Sequence, residues 1–208
     1  KKLLEEIIRN VNPYHKVNTF RAGGYLIEPF NEIKDAFLKN DIKIDSSICR
    51  GLLNDDGIFS YNYNIYPDKP KYNFELTPKD IVNDGRFIEI PIFSVKIPAF
   101  YNIFFTLLRI IKYSHLESER KGSSVGGYFV PNRFYYVKKL FSLFFPRLHQ
   151  LTTDNNYIER FSYTLKKTPD YSTMILHPKL LNTHTLRILD DYVIAKKIRF
   201  ISIQDFLT

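Results

Sequence analysis

Two short strand patterns that flank one amphipathic helix pattern place the strongest constraint on the fold of this 208-residue chain. Residues 17–21 read as a strand that ends on Arg21, and residues 42–45 read as a strand that ends on Asp45. Residues 29–40 between them carry apolar side chains at helical spacing. These side chains are Phe30, Ile33, Phe37 and Leu38. A strand–helix–strand order predicts neighbouring parallel strands in an α/β fold.

A basic side chain and a glycine turn follow the first strand, in the order Phe20-Arg21-Ala22-Gly23-Gly24-Tyr25. Glycine lacks a Cβ atom and therefore permits a sharp turn and a close backbone approach. The guanidinium of arginine offers five donors in a rigid fork that suits a carboxylate. Two interpretations of Arg21 stay open: a side chain aimed at a carboxylate, or an exposed arginine beside an ordinary Gly-Gly turn.

A second motif lies far along the chain, where Thr173-Met174-Ile175-Leu176-His177-Pro178 reads as an apolar strand that delivers His177 at its end. Imidazole titrates near neutral pH, so a histidine in this position suits proton transfer. The simpler interpretation of the same residues is a histidine that caps a strand end beside a proline.

Together the two motifs resemble the polysaccharide deacetylase domain (NodB-like, carbohydrate esterase family 4), in the branch found among surface-polysaccharide biosynthesis proteins. The resemblance extends over about residues 1–98 and 170–208. It is carried by Phe20-Arg21-Ala22-Gly23-Gly24, Ile44-Asp45-Ser46-Ser47, Asp84-Gly85-Arg86, Glu89-Ile90-Pro91 and Ile175-Leu176-His177. It implies an α/β fold that forms most of a distorted (β/α) barrel. We therefore expect one domain over residues 1–208, with an aromatic-rich helical insertion at about residues 100–165.

The resemblance also implies a chemistry, the metal-dependent hydrolysis of an N-acetyl or O-acetyl group on a glycan or on a glycolipid-linked sugar. It makes His177 the general acid and Arg21 the residue that orients the catalytic base. Leu176 would line the acetyl pocket, and Tyr25 and Asp45 would contact the substrate. For Asp45 a second interpretation is equally open, a cap on the turn that follows the strand.

One departure from the family pattern concerns the metal. The family binds a divalent cation, zinc or a similar ion, through an Asp-Asp pair and a His-x-x-x-His pair, and neither motif precedes Arg21. Asn54-Asp55-Asp56-Gly57 follows Arg21 and is typical of a turn. The other histidines are far apart in sequence: His15, His115, His149 and His184. We therefore expect that this chain does not contain the metal ligands.

The missing motifs lead us to expect the C-terminal part of a longer protein, or a naturally shortened one. On that basis we expect the complete protein to act as an enzyme and these 208 residues alone to be inactive. The alternative is a non-catalytic module of deacetylase type that binds carbohydrate or a protein partner. We expect the bacterial cytoplasm or the membrane periphery as its location, and the sequence leaves the oligomeric state open.

The formal net charge is +8, and the basic residues are spread along the chain without a run of five. No helix-turn-helix, zinc-finger or RNA-recognition pattern accompanies them, so we expect no nucleic-acid partner. Cys49 is the only cysteine in the sequence. This excludes a disulfide within the chain and predicts a small packed side chain at Cys49.

Residues 100–113 and 134–148 read as two aromatic, apolar helices separated by a glycine-serine loop. Two interpretations stay open, because such helices are either buried parts of a barrel or lid, or they lie on a membrane surface. Elsewhere the pattern predicts a helix near residues 3–11, a loop-rich stretch at 51–86, a strand at 87–92, a helix at 181–195 and a last strand at 198–203.

Overall fold

The computed structural model describes residues 2–9, 17–55, 60–112, 137, 140–154, 158–177, 181, 183–195 and 197–201. These residues separate into two compact units. The first unit comprises residues of Lys1–Phe93 and Tyr171–Thr173, and the second comprises residues of Ser94–Asp170 and Met174–Ser202. The expectation of one domain over the whole chain stays a prediction.

The first unit is rich in short strands, and most of the helical residues lie in the second unit. The strands that the structure describes are β1 (Thr19–Phe20), β2 (Ile44–Asp45), β3 (Leu53–Asp55), β4 (Ser60–Asn62), β5 (Tyr72–Phe74), β6 (Phe87–Glu89), β7 (Ser94–Ile97) and β8 (Arg147–Gln150). The helices are α1 (Lys2–Arg9), α2 (Phe30–Lys39), α3 (Ala99–Lys112), α4 (Ile158–Leu165) and α5 (Thr183–Ile194). None of the helices in the described part is long and apolar enough to cross a bilayer.

The main sheet of the first unit has the strand order β1–β2–β6–β5. Strands β1, β2 and β6 are parallel neighbours, and β5 pairs antiparallel with β6. The predicted parallel pairing of the first two strands is confirmed. The register aligns Phe20 with Asp45 and Asp45 with Glu89, so the three parallel strands end at one edge. The sheets formed by the described strands are open, and the distorted (β/α) barrel stays a prediction.

The core of the first unit is a cluster of aromatic rings between α2 and the main sheet. Phe30 of α2 meets the rings of Phe74 and Phe87 edge to face at centroid distances of 4.8 and 4.9 Å. Such edge-to-face pairs place the positive ring edge on the negative ring face. Phe37 is buried on the same side of the helix, whereas Leu38, predicted to join it, is exposed. The reason is the helical period, because seven residues complete about two turns and the eighth passes beyond the buried face.

The stretch at 51–86, predicted to be rich in loops, contains three short strands. Strands β3 and β4 form an antiparallel pair, and β5 joins the main sheet. Pro67, Pro70 and Pro78 lie outside these strands, in agreement with their predicted role as breaks. Gly85 lies against the backbone of Phe74, where an added Cβ atom would come within 2.4 Å of the Phe74 carbonyl oxygen.

The second unit combines the antiparallel pair β7–β8 with helices α3, α4 and α5. Phe161 of α4 is buried, and its ring meets Tyr192 of α5 edge to face at 5.2 Å. Tyr163 of α4 packs on Tyr101 of α3 at a centroid distance of 4.6 Å. These aromatic contacts tie the three helices of the unit into one apolar core.

Three sequence-based predictions of secondary structure are corrected. Val137, Leu140 and Phe141 are helical as predicted, but the rest of the described part of the predicted helix at 134–148 is a 3-10 turn at Ser142–Phe144 followed by strand β8. Pro146 explains this change, because its ring has no N–H to continue a helix. The predicted last strand is irregular over its described residues, 198–201. The predicted strand before His177 makes a single bridge, between Thr173 and Ile92, and continues without regular structure.

Some predictions lie outside the described residues. They are the glycine-serine loop at 122–127, residues 134–136, 138 and 139 of the predicted 134–148 helix, residues 202 and 203 of the last strand, and the side chains of His15, His115 and Asp56. The predicted packing of Cys49 is confirmed, because its side chain is fully buried.

Candidate functional site

The carboxyl edge of the main sheet collects three charged side chains of the first unit. Arg21 follows the last residue of β1, while Asp45 and Glu89 are the last residues of β2 and β6. Asp45 and Glu89 are fully buried, although both are acidic. In sheets of this kind ligands bind at the carboxyl ends of parallel strands. This edge is therefore one candidate site, and we call it the carboxyl-edge cluster.

Asp45 holds the turn that follows its strand. Its Oδ1 accepts a hydrogen bond from the Ser47 hydroxyl at 2.6 Å, and its Oδ2 accepts one from the Ser47 backbone N–H at 3.0 Å. The Ser47 hydroxyl oxygen in turn accepts the Ala22 N–H at 2.7 Å, which fixes the glycine turn to β2. Asp45 therefore acts as a cap on its own turn. Its predicted contact with substrate stays a prediction.

Glu89 lies beside Asp45 in the register of the parallel strands. A hydrogen bond links the two carboxyl groups, and burial followed by the charge of Asp45 raises the pKa of Glu89 well above its ordinary value. Burial also raises the pKa of Asp45, but hydrogen bonds from Glu89 and Ser47 oppose that rise. Oε2 of Glu89 meets no N–H or hydroxyl donor among the described residues. We therefore assign the proton to Glu89 and the negative charge to Asp45.

Arg21 supplies the positive charge of the cluster. Its Nε donates to the Ser46 carbonyl oxygen at 2.9 Å, and one terminal nitrogen donates to the Ser46 hydroxyl at 3.1 Å. Partial burial lowers the pKa of its guanidinium, and the neighbouring charge of Asp45 acts in the opposite direction. Arg21 is exposed to solvent and its hydrogen bonds go to Ser46, with Asp45 as a neighbouring charge, so both interpretations of Arg21 stay open.

Tyr25 ends the glycine turn. Its φ of 65° follows the same φ of 65° at Gly24, so two successive residues are left-handed, which is uncommon for a bulky side chain. Its carbonyl oxygen accepts a hydrogen bond from the Tyr63 hydroxyl. Its ring meets that of Tyr61 at a centroid distance of 6.3 Å. The predicted role of Tyr25 in substrate binding stays a prediction.

The second unit contains an imidazole–carboxylate pair formed by His177 and Asp154. Nδ1 of His177 lies 2.6 Å from Oδ2 of Asp154, and the backbone N–H of His177 donates to the same oxygen at 2.9 Å. The His177 side chain is 49% exposed, whereas that of Asp154 is 6% exposed. A buried carboxylate thus fixes one ring nitrogen and leaves the solvent-facing part of the ring available for proton exchange.

The backbone around this pair is held by strand-like contacts. The N–H of Ile175 donates to the Leu151 carbonyl oxygen at 3.0 Å, and the Ile175 side chain is buried. Leu176 is half-buried beside His177, and its predicted place in an acetyl pocket stays a prediction. Oδ1 of Asp154 and Oγ1 of Thr153 are buried without a hydrogen-bond partner among the described residues.

The metal that the resemblance implies was tested against the side chains present. In the described part of the chain, no three His, Cys, Asp or Glu side chains converge as a ligand set. The described residues therefore do not fit a metal centre of the kind that the family uses. The divalent cation therefore stays a prediction.

Comparison of the chain with protein-family models, with curated proteins and with solved structures gave no match. The predicted deacetylase family, its function, its cofactor and its partners therefore stay predictions.

Sequence reasoning missed two residues of these sites as functional groups, Glu89 and Asp154. Glu89 had a signal, because it is an acidic residue within the apolar run Phe87-Ile88-Glu89-Ile90 of a strand that is buried on both faces. Asp154 had none, because it reaches His177 across 23 residues that show no shared pattern.

Proposed function

We propose that the chain takes part in the hydrolysis of an N-acetyl or O-acetyl group on a glycan, with His177 as the residue that transfers a proton. The observation that supports this most directly is the 2.6 Å contact between the half-exposed His177 ring and the buried Asp154 carboxylate. A carboxylate on Nδ1 holds the tautomer and orientation of an imidazole and stabilises its protonated form. His177 can then hold a proton on Nε2 and give it up.

The role of His177 follows from the balance of the reaction. Hydrolysis adds a hydroxyl group from water to the acetyl carbon and breaks the bond from that carbon to the sugar nitrogen or oxygen. The leaving atom needs a proton as the bond breaks. Nε2–H of His177 donates this proton, while Asp154 keeps its charge and stabilises the ring before the transfer.

The carboxyl-edge cluster supports the proposal in a second way. Arg21 is anchored on Ser46, next to the ionised Asp45. In the proposed function Arg21 orients a catalytic carboxylate. A guanidinium that is already fixed by two hydrogen bonds loses little conformational freedom when it binds one more acceptor.

Acetate release from a panel of acetylated oligosaccharides tests the proposal. The complete protein is assayed with an added divalent cation, and His177→Asn and Asp154→Asn are compared with wild type. His184→Asn is the matched control, because it removes another imidazole of the second unit. We expect kcat to fall by ~100-fold or more in His177→Asn, the usual scale of a lost proton-transfer residue. The dissociation constant of the oligosaccharide should stay unchanged.

Two results would count against the proposal. Wild-type kcat in His177→Asn would remove His177 from the chemistry. Oligosaccharide binding without acetate release, with every divalent cation tried, would replace hydrolysis by the alternative function, a non-catalytic carbohydrate-binding module. Both results are readable only if the variants fold, which circular dichroism checks.

A further inference from the structure

Helix α3 exposes a continuous apolar stripe on the side opposite its buried residues. The stripe consists of Phe100, Phe104, Leu107 and Ile111. Their spacing of four, three and four residues places them on one face of the helix. They are between 44% and 79% exposed. Asn102 and Phe105 are buried on the other face, so the core of the second unit does not account for the stripe.

A second exposed apolar segment of the same unit lies beside α3. The side-chain amide of Asn102 donates to the Phe145 carbonyl oxygen at 3.0 Å, which ties this segment to the helix. Phe141 and Phe144 in the segment are 65% and 62% exposed. We call the stripe together with Phe141 and Phe144 the apolar surface. Exposed apolar side chains in such number mark interaction sites, because exposed apolar area carries a cost of about 25 cal/mol per Å² in water.

The net charge of the segment that carries the apolar surface indicates which partner covers this surface. Residues 99–150 contain eight lysines and arginines but only two acidic residues, both glutamates. This quarter of the chain therefore carries +6 of the net charge of +8. A second copy of the chain would bring the same positive charge to the contact and be repelled. An anionic lipid surface would attract the positively charged segment, at about 1 kcal/mol for each basic residue near the membrane.

We propose that the apolar surface binds the face of an anionic lipid bilayer. The stripe enters the boundary between headgroups and acyl chains, and the net positive charge of the 99–150 segment attracts the anionic headgroups. Aromatic and aliphatic side chains on one helix face, with basic residues around them, are the pattern of helices that lie in the plane of a membrane interface.

A single-tryptophan reporter tests this proposal, because the natural chain contains no tryptophan. Phe100→Trp places the reporter on the stripe, and Leu76→Trp places a control at an exposed apolar position of the first unit. The full chain is mixed with vesicles of phosphatidylglycerol and phosphatidylcholine in equal parts, at low salt. We expect the emission of Phe100→Trp to shift to shorter wavelength and to be quenched by brominated lipids. The emission of Leu76→Trp should not change.

A pair of double variants gives the energetic test. Phe100→Ser/Ile111→Ser removes two side chains of the stripe, and Ile65→Ser/Leu76→Ser removes two other apolar side chains that are also more than half exposed. Burial of two such side chains predicts a loss of vesicle affinity of roughly 100-fold in the stripe variant. The control variant should bind as wild type does, and all four substitutions replace exposed side chains that a fold does not need.

Three results would overturn the proposal. The first is an unchanged emission of Phe100→Trp with anionic vesicles at low salt. The second is equal binding to vesicles of pure phosphatidylcholine, which would show that the positive charge has no part in it. The third is a concentration-dependent shift without lipid, accompanied by a dimer in sedimentation that the stripe variant abolishes. That last result would assign the apolar surface to a second copy of the chain.

Discussion

Replacing Glu89 with glutamine is the sharpest test of the carboxyl-edge cluster. Glutamine keeps the shape of a protonated glutamic acid and cannot ionise. Its carbonyl oxygen can accept the Ile48 N–H that now lies 3.3 Å from Oε1 of Glu89. Its NH2 group can donate to Asp45 in place of the shared proton. If Glu89 is the protonated partner, Glu89→Gln keeps the hydrogen bonds to Ile48 and Asp45. Its one effect is that the side chain at position 89 no longer ionises.

The sign and size of the effect follow from proton linkage. Burial and the charge of Asp45 raise the pKa of Glu89 above the 4.5 of an ordinary glutamate. Between that value and the raised one, the folded state binds one more proton than the unfolded state. The free energy of unfolding therefore falls as pH rises through this window, by about 1.4 kcal/mol per pH unit. The stability that protonated Glu89 contributes is fully present below the pKa of Glu89 in the unfolded state. It is lost as pH rises through the pKa of Glu89 in the folded state.

Urea denaturation at half-unit pH steps measures this slope. We expect the free energy of unfolding of Glu89→Gln to exceed that of wild type by an amount that grows with pH above 4.5. Glu32→Gln on the exposed side of α2 is the matched control and should run parallel to wild type. Asp45→Asn is the contrasting variant. It removes a charged acceptor from Ser47 and should destabilise the fold by about 1–3 kcal/mol.

Two outcomes would refute the assignment of the proton to Glu89. One is a constant difference between Glu89→Gln and wild type over the pH series, because a group that does not titrate in the window cannot produce a slope. The other is a destabilised Glu89→Gln together with a stabilised Asp45→Asn, which would place the proton on Asp45.

Further predictions concern Arg21, Gly85 and His149. Arg21→Met should lower the free energy of unfolding by about 1–3 kcal/mol in urea, because it removes two hydrogen bonds of a charged donor. Gly85→Ala should lower the free energy of unfolding by ~2 kcal/mol or more, since the new Cβ would meet a backbone oxygen at 2.4 Å. The control is Gly23→Ala, whose new Cβ meets no atom within 4 Å. A thermal melt should show this variant near wild type. Burial and two nearby arginines lower the pKa of His149 from 6.5 to about 4. Stability should therefore fall by about 1.4 kcal/mol per unit as pH drops from 6.5 towards 4, and His149→Gln should abolish that slope in urea titrations.

The fold was predictable where side-chain period and strand order agreed. Residues 29–40 were predicted as a helix, and α2 runs from Phe30 to Lys39 between two parallel strands. The change from helix to strand within the 134–148 stretch was not predictable, because a run of aromatic residues suits a helix and a buried strand equally well. Strand β8 exists because residues 147–150 find a partner in β7, and a pairing across 50 residues of chain leaves no local pattern.

In the candidate sites, single residues could be selected from the sequence, whereas the residues that contact them could not. Arg21, Asp45 and His177 stand at the ends of recognisable apolar stretches, and their positions in sequence were sufficient to select them. Their partners were not. The register of three strands brings Glu89 to Asp45, and the tertiary fold of the second unit brings Asp154 to His177. A sequence pattern predicts where a charge leaves a strand, whereas the neighbour that sets its protonation depends on non-local packing.

The Asp45–Glu89 pair and the His177–Asp154 pair differ in exposure, and this difference separates the roles that we propose for them. Asp45 and Glu89 are both fully buried, so the proton between them cannot reach a substrate without local opening. In the second pair only the carboxylate is buried, and the imidazole is half exposed. A proton on that imidazole can pass to a bound molecule while the carboxylate keeps the ring in place. The carboxyl-edge cluster therefore fits a positioning role through Arg21, and His177 is the residue at which proton transfer should be measured.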